Sequence, residues 1–204
     1  DADTITDFTN GTDVLGMDDG LQYTDLTIAQ GTGDNANDTI ISKGSEYLAI
    51  LQGISASAVN YMDFASMATG DQSFTGTTSD DVFIGAAGVD TVTTNTGTDV
   101  ILTSAGDDAI TVDGVGNKTI DGGSGTDSLT ISVSGNTSLG SYAITKSGDY
   151  LVLTDTSNNV IQHKNINSLI VGSYTYIEDT SNDTFWNASE LSLIHISEPT
   201  RLTS

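Results

Sequence analysis

The sequence predicts an all-β fold: a short parallel β-roll of nonapeptide repeats, wound in 18-residue coils and flanked by antiparallel β capping segments. Three observations predict it. Asp90, Asp99 and Asp108 stand nine residues apart, each with a Gly two places before it. Each is followed two places later by an apolar residue, Val92, Ile101 and Ile110. On either side of this stretch, short alternating apolar and polar runs are separated by Gly-, Asn- and Asp-rich turns, the pattern of half-buried strands.

The nine-residue period extends from Gly76 to Ile131. Its Asp positions are Asp81, Asp90, Asp99 and Asp108, then Asn117, then Asp127 after a one-residue insertion. Two places before them stand Ser79, Gly88, Gly97, Gly106, Val115 and Gly125; two places after stand Phe83, Val92, Ile101, Ile110, Thr119 and Leu129. The unit GGSGTDSLT, Gly122 to Thr130, fits G-G-x-G-x-D-x-U-x at every place, U being a large apolar residue. Six Gly-rich residues form a turn, because Gly tolerates positive φ, and three residues around U form a very short strand. Two units make one coil, and stacked coils pair their strands in parallel with U inside.

Such stacking sets each turn beside the turn two repeats later. Asp carboxylates and turn carbonyls then converge between neighbouring turns, a hard oxygen set that suits Ca²⁺. Nine Asp and a single Lys, Lys118, lie between Gly76 and Ile131, so without a cation the Asp rows face each other as like charges. The candidate ligands are Asp81, Asp90, Asp99, Asp108 and Asp127, in turns shaped by Gly88, Gly97, Gly106, Gly122 and Gly125. Thr94-Asn95 and Thr103-Ser104 replace the paired Gly in other units, and some sites are therefore expected to be weak or empty.

The residues flanking U point outward. On alternate units they are Thr91 and Thr93, Ala109 and Thr111, Ser128 and Thr130, an ordinary wettable β-surface. On the other face they are Val82 and Ile84, Val100 and Leu102, Lys118 and Ile120, and this apolar face is expected to be covered by another part of the chain or by a partner.

The flanking segments read as β structure of a different kind. Residues 1–66 hold alternating runs at Asp25 to Ala29, Thr39 to Ser42 and Tyr47 to Leu51, the pattern of an antiparallel meander, and Asp3-Thr4-Ile5 looks like the end of a further nonapeptide upstream. The roll is assigned to residues 67–131, and residues 132–190, with strands around an Asn-rich turn, to a capping segment. No aromatic residue lies between Ile84 and Gly140, which suits aromatic-rich caps on a roll filled with Val, Ile and Leu.

Composition removes several function classes. The chain has 204 residues, 28 acidic against 5 basic, and a net charge of −23, which argues against binding nucleic acid or an anionic membrane through basic patches. It has no Cys, so neither a disulfide framework nor a thiolate zinc site is available. His163, in NVIQHKNIN, reads as an exposed strand residue, and no Asp pair stands out as a glycosidase couple. Nothing in these residues supports catalysis.

The nonapeptides and the D-x-I-x-D-F-x-x-G-x-D pattern at Asp3 to Asp13 resemble haemolysin-type calcium-binding (RTX) proteins, with a serralysin-like β-roll. That resemblance implies export by a bacterial type I secretion apparatus, an extracellular or cell-surface location, and folding on meeting extracellular calcium. It leaves the activity of a longer protein open: the chain is a calcium-binding structural module, a C-terminal piece of a secreted protease or lipase, or a segment of an adhesin or surface layer, with neighbouring domains as its other partners. A β-sandwich with fortuitous Asp spacing would show no calcium dependence. Finally, LSLIHISEPTR, Leu191 to Arg201, holds the only Pro and the only Arg and resembles translated adapter sequence from DNA library preparation. The natural sequence is expected to stop near Glu190, with residues 191–204 a non-native tail of a metagenomic fragment.

Overall fold

In the computed structural model the described residues are 2–18 and 20–179, with side chains to Ile177, together with the backbone of strands Thr184–Asn187 and Ser192–His195. Residues 196–204, the end of the tail, lie outside the described residues. The fold is all-β: the described residues form strands and five short 3₁₀ turns. The chain divides into two units, Asp1–Ala68 and Thr69–Ser204.

The first unit contains β1 (Asp3–Ile5), β2 (Leu15–Met17), β3 (Thr27–Gln30), β4 (Thr39–Lys43), β5 (Glu46–Leu51) and β6 (Phe64–Ser66). The three alternating runs become β3, β4 and β5, an antiparallel meander. β1 adds to β5 in parallel, Asp3 opposite Ala49, and β2 pairs separately with β6. Ile41, Leu51, Phe64 and Met17 are buried, and Tyr23 meets the Phe64 ring edge-on with centroids 5.2 Å apart.

The second unit begins with six short strands: β7 (Ser73–Thr75), β8 (Val82–Ile84), β9 (Thr91–Thr93), β10 (Asp99–Leu102), β11 (Ala109–Val112) and β12 (Lys118–Asp121). They are followed by β13 (Ser128–Ile131), β14 (Tyr142–Ser147), β15 (Tyr150–Asp155), β16 (Val160–Lys164), β17 (Ser168–Val171), β18 (Tyr174–Asp179), β19 (Thr184–Asn187) and β20 (Ser192–His195). Successive strands alternate between two sheets. One runs β8-β10-β12-β16 in parallel; the other runs β7-β9-β11-β13-β17 in parallel. This is the predicted coil, with Phe83 opposite Ile101 and Val92 opposite Ile110. Beyond β16 and β17 each sheet turns antiparallel, through β15 and β14 on one side and β18, β19 and β20 on the other.

The core lies between the sheets. Phe74, Val92, Ile110, Leu129 and Leu169 form one inward column, and Phe83, Ile101 and Ile120 the other. At the first coil Phe74 and Phe83 stack with centroids 5.1 Å apart, a wide apolar lid on an otherwise aliphatic column. At the far end Tyr142 and Tyr176 are buried within the same core.

Two residues depart from the sequence reading. The one-residue insertion falls before Lys118, not before Asp127: Asp99 pairs with Lys118 and Ile101 with Ile120. Lys118 therefore takes the Asp place and Ile120 the inward U place; both are buried, and neither belongs to the outer face. Thr119 and Asp121 take that face beside Val100 and Leu102, with Val82, Val100 and Leu102 half-buried and Ile84 buried. The second departure is His163, which is buried, not exposed. It stands opposite Ile120 and Leu151, on the same side of β16 as buried Ile161. Neither ring nitrogen has a hydrogen-bond partner among the described residues.

These placements fix two outcomes. Leu129→Ala, at a fully buried rung, is expected to cost about 2–5 kcal/mol in urea unfolding, whereas Val115→Ala, at an exposed side chain, is expected to stay within about 0.5 kcal/mol. Burial pushes the His163 imidazole down from 6.5 to about 4. The native state thus binds fewer protons than the unfolded chain in that window, and its stability falls as pH drops from about 6.5 to about 4. His163→Leu is expected to remove that part of the slope in thermal melts at stepped pH.

Candidate metal site

The Asp beat becomes two rows, one along each edge of the roll. On one edge the rungs are Gln72, Asp90, Asp108, Asp127 and Asn167; on the other they are Asp81, Asp99, Lys118 and Ile161. At Gln72, Asp81, Asp90, Asp108 and Asp127 the backbone N–H at the junction of turn and strand is met by a side-chain oxygen one coil on, whereas the Asp99 N–H donates to Asn117 O at 2.9 Å.

That oxygen is an Asp Oδ1 in four cases and the Asn167 amide oxygen in the fifth. The Gln72 N–H donates to Asp90 Oδ1 at 2.8 Å, Asp90 to Asp108 at 2.7 Å, Asp108 to Asp127 at 2.9 Å, and Asp127 to Asn167 Oδ1 at 2.7 Å. On the other edge the Asp81 N–H donates to Asp99 Oδ1 at 3.0 Å. A second ladder runs the opposite way from the preceding residue: Val89 donates to Asp71 Oδ1, Thr98 to Asp80 Oδ1 and Thr126 to Asp107 Oδ1, at 2.7–2.9 Å. Reading the nine-residue beat alone misses Asp71, Asp80 and Asp107; the doublets at 80–81 and 107–108 are the signal for two of them.

The second oxygen, Oδ2, divides the sites. In the first two turns it closes its own loop: Asp81 Oδ2 accepts from the Thr77 N–H at 2.6 Å and hydroxyl at 3.1 Å, and Asp90 Oδ2 from the Ala86 N–H at 2.9 Å. Asp99 Oδ2 lies 3.0 Å from Lys118 Nζ. Asp108 Oδ2 and Asp127 Oδ2 are buried without a hydrogen-bond partner among the described residues. In these two turns the residue four places before the Asp is left-handed, Ser104 at φ 74° and Gly123 at φ 78°, and the Gly123 N–H donates instead to Asp121 Oδ1 at 3.0 Å.

The open pair is adjacent in space, since the Asp108 N–H bonds the Asp127 carboxylate and β11 pairs with β13. Burial first of all, with Asp108, Asp107 and Asp121 as like charges, pushes the Asp127 carboxyl up to about 6, against the hydrogen bond from the Asp108 N–H. Asp90 is also raised, by burial and by Asp108 and Asp71, against the hydrogen bonds from Gln72 and Ala86.

The turns themselves stack in contact. The Gly106 N–H donates to Ser124 O at 2.9 Å and the Ser124 N–H to Ser104 O at 2.8 Å. Gly106 and Gly125 have φ of 143° and 137°, and a Cβ on either would collide with the carbonyl oxygen one coil earlier, of Gly88 and of Gly106 respectively. Gly88, Gly97 and Gly122 likewise meet backbone of a neighbouring turn.

Two buried carboxylate oxygens without donors, beside stacked turns with backbone carbonyls, fit a hard cation such as Ca²⁺. Among the described residues no three His, Cys, Asp or Glu side chains gather into one metal-holding group, so Asp108 and Asp127 are the carboxylates best placed to hold one. Asp90 has both oxygens engaged and Asp81 Oδ2 is held by its own turn, whereas Asp99 Oδ2, also buried without a hydrogen bond, is met by the Lys118 ammonium as an ion pair. His163 is buried opposite Ile120, and no acid or nucleophile is hydrogen-bonded to its ring among the described residues.

No protein-family model matches the chain, and no curated protein sequence matches it. Seven chains of solved structures do, among them the extracellular lipase LipA from Serratia marcescens, at 16% identity and a TM-score of 0.30. The match covers 71% of this chain and 23% of that one, and a likeness of this size adds nothing to the geometry. The stacking makes one substitution informative. Gly125→Ala is expected to destabilise the protein by about 1–3 kcal/mol in urea unfolding, because the new methyl requires both a positive φ and separation of two turns.

Proposed function

We propose that this chain is a calcium-binding structural module of a secreted protein, and that Ca²⁺ taken up at the Asp108–Asp127 edge completes the fold outside the cell. The observation that carries the reading is the pair of buried, donorless oxygens, Asp108 Oδ2 and Asp127 Oδ2, on neighbouring turns. Burying a carboxylate oxygen without a partner is costly, and a second carboxylate alongside raises that cost. A bound cation supplies the positive charge that offsets both. Asp108 and Asp127 would hold it, with Oδ1 of Asp127 continuing to bind the Asp108 N–H.

The resemblance of the nonapeptides to RTX proteins supports secretion through a type I apparatus and an extracellular or surface location. The absence of Cys and the net charge of −23 accord with that setting. Among the described residues no helix is long and apolar enough to cross a membrane. We assign the residues present no catalytic role. A protease, lipase, adhesin or surface layer of which this module formed part would each use it in the same way, to couple folding to calcium. A metal-independent reading draws on the Oδ1 ladders, which by themselves give Asp a conformational role.

A calcium titration followed by far-ultraviolet circular dichroism and thermal melting, with magnesium as control, separates the two readings. Extracellular modules bind calcium at roughly 10⁻⁴ to 10⁻³ M, so 10 mM calcium is expected to add up to about 2.7 kcal/mol, a rise in melting temperature of roughly 5–10 °C. Asp108→Asn plus Asp127→Asn keeps an Oδ1 acceptor at each rung, as Asn167 already does. That variant is expected to melt in chelator at or above the parent temperature and to lose the calcium increment. Equal melting of the parent protein in chelator and in calcium would overturn the proposal.

A further inference from the structure

Lys118 holds a position that the rest of the roll gives to Asp. It stands opposite Asp99, one coil further on, and its side chain is entirely buried. Lys is almost never fully buried without a partner, because removing an ammonium from water costs several kcal/mol. Here Nζ has three oxygen neighbours for its three hydrogens: Asp99 Oδ2 at 3.0 Å, Gly97 O at 2.7 Å and Val115 O at 3.3 Å. The first two belong to the turn that ends at Asp99, and the third to the next turn on the same edge.

We infer that Lys118 is a built-in cation: its ammonium fills the place between two turns where this fold would otherwise take a metal ion, so the Asp81–Asp99 edge assembles without calcium. This rests on the reading of the turns as cation sites. The molecule contains its own comparison. All three of Asp99, Asp108 and Asp127 bury an Oδ2 without a hydrogen bond, but on the opposite edge, where Asp108 and Asp127 occupy corresponding rungs, no basic side chain reaches them among the described hydrogen bonds and ion pairs. On the Lys118 edge, Asp99 Oδ1 accepts the Asp81 N–H while Oδ2 faces the ammonium, so its negative charge is matched.

The extra residue of this turn belongs to the same device. Lys118 stands ten positions after Asp108 in place of nine, and the longer turn carries the Val115 carbonyl to Nζ. The next rung on this edge is Ile161, buried and apolar, so the row ends there with no further charge to match.

The test compares the whole chain with Lys118→Ala, which vacates the site, and Lys118→Met, which fills it without charge. Bound calcium is counted by equilibrium dialysis, and folding is followed by circular dichroism in chelator and in calcium. Lys118→Ala is expected to lose stability in chelator, to bind about one calcium ion more than the parent protein, and to recover stability as calcium rises. Lys118→Met is expected to lose stability in chelator and to gain no additional ion. A Lys118→Ala variant that is unfolded in chelator and folds on calcium addition supports the inference; one that binds no additional ion, or stays unfolded at saturating calcium, overturns it. If the parent protein binds calcium and Lys118→Ala binds the same number, this inference fails and the proposed function stands. If the parent binds none while Lys118→Ala binds one, the proposed function fails and the inference stands.

Discussion

The hydrogen bond from the backbone N–H of one rung to the Asp Oδ1 of the next coil is the contact on which the roll depends. Each strand in the coils is only three or four residues long, too short to fix its register by ladder bonds alone. Such bonds at the turns leading to Gln72, Asp81, Asp90, Asp108 and Asp127 set that register, and with it which residues point into the core. It does not need negative charge, since Asn167 accepts the Asp127 N–H in the same way. Asp at three successive rungs of that edge therefore carries a charge that the ladder does not use. Its second oxygen is the part free for other chemistry.

That second oxygen makes the two edges of the roll chemically different. Turn amides close the first turns, an ammonium closes the Asp99 turn, and the Asp108 and Asp127 oxygens remain open. The difference traces to local backbone: Ser104 and Gly123 are left-handed where Thr77 and Ala86 are not, so the turn amide that closes the earlier loops is not offered to Asp108 or Asp127. A repeat whose places look alike in sequence is thus three kinds of turn in space.

The coil period, the two inward columns and the antiparallel meander of the first unit were legible in the sequence because each rests on spacing. Lys118 was not, because placing the insertion before or after it leaves Asp108 and Asp127 the same nineteen positions apart. Asn117 resembles Asp and drew the register to itself. The decisive signal was the U place, where Thr119 was the lone polar residue and Ile120 stood one position away. His163 was misread for a similar reason: its neighbours Gln162 and Lys164 are polar, but strand alternation puts it on the side of Ile161. The division of Asp oxygens into engaged and open depends on φ at single turn residues, which composition does not encode. Of the adapter-like end, the described residues are those of β20, whose backbone pairs with β19.

The switch of both sheets from parallel to antiparallel at β16 and β17 has a kinetic consequence. Each coil closes a loop of 18 or 19 residues, whereas the Asp127 amide finds its acceptor, Asn167, forty residues away. Doubling a loop costs only about 0.6 kcal/mol of closure entropy, but the intervening chain must first order β14, β15 and β16 as hairpins. Coils can therefore wind one upon another while the closing seam waits, and the last Asp of the row keeps an unpaired amide until that seam shuts. The open carboxylates of Asp108 and Asp127 lie at this seam. Any event that neutralises them acts on a long-range closure of the roll, and so bears on the rate of assembly as well as its end point.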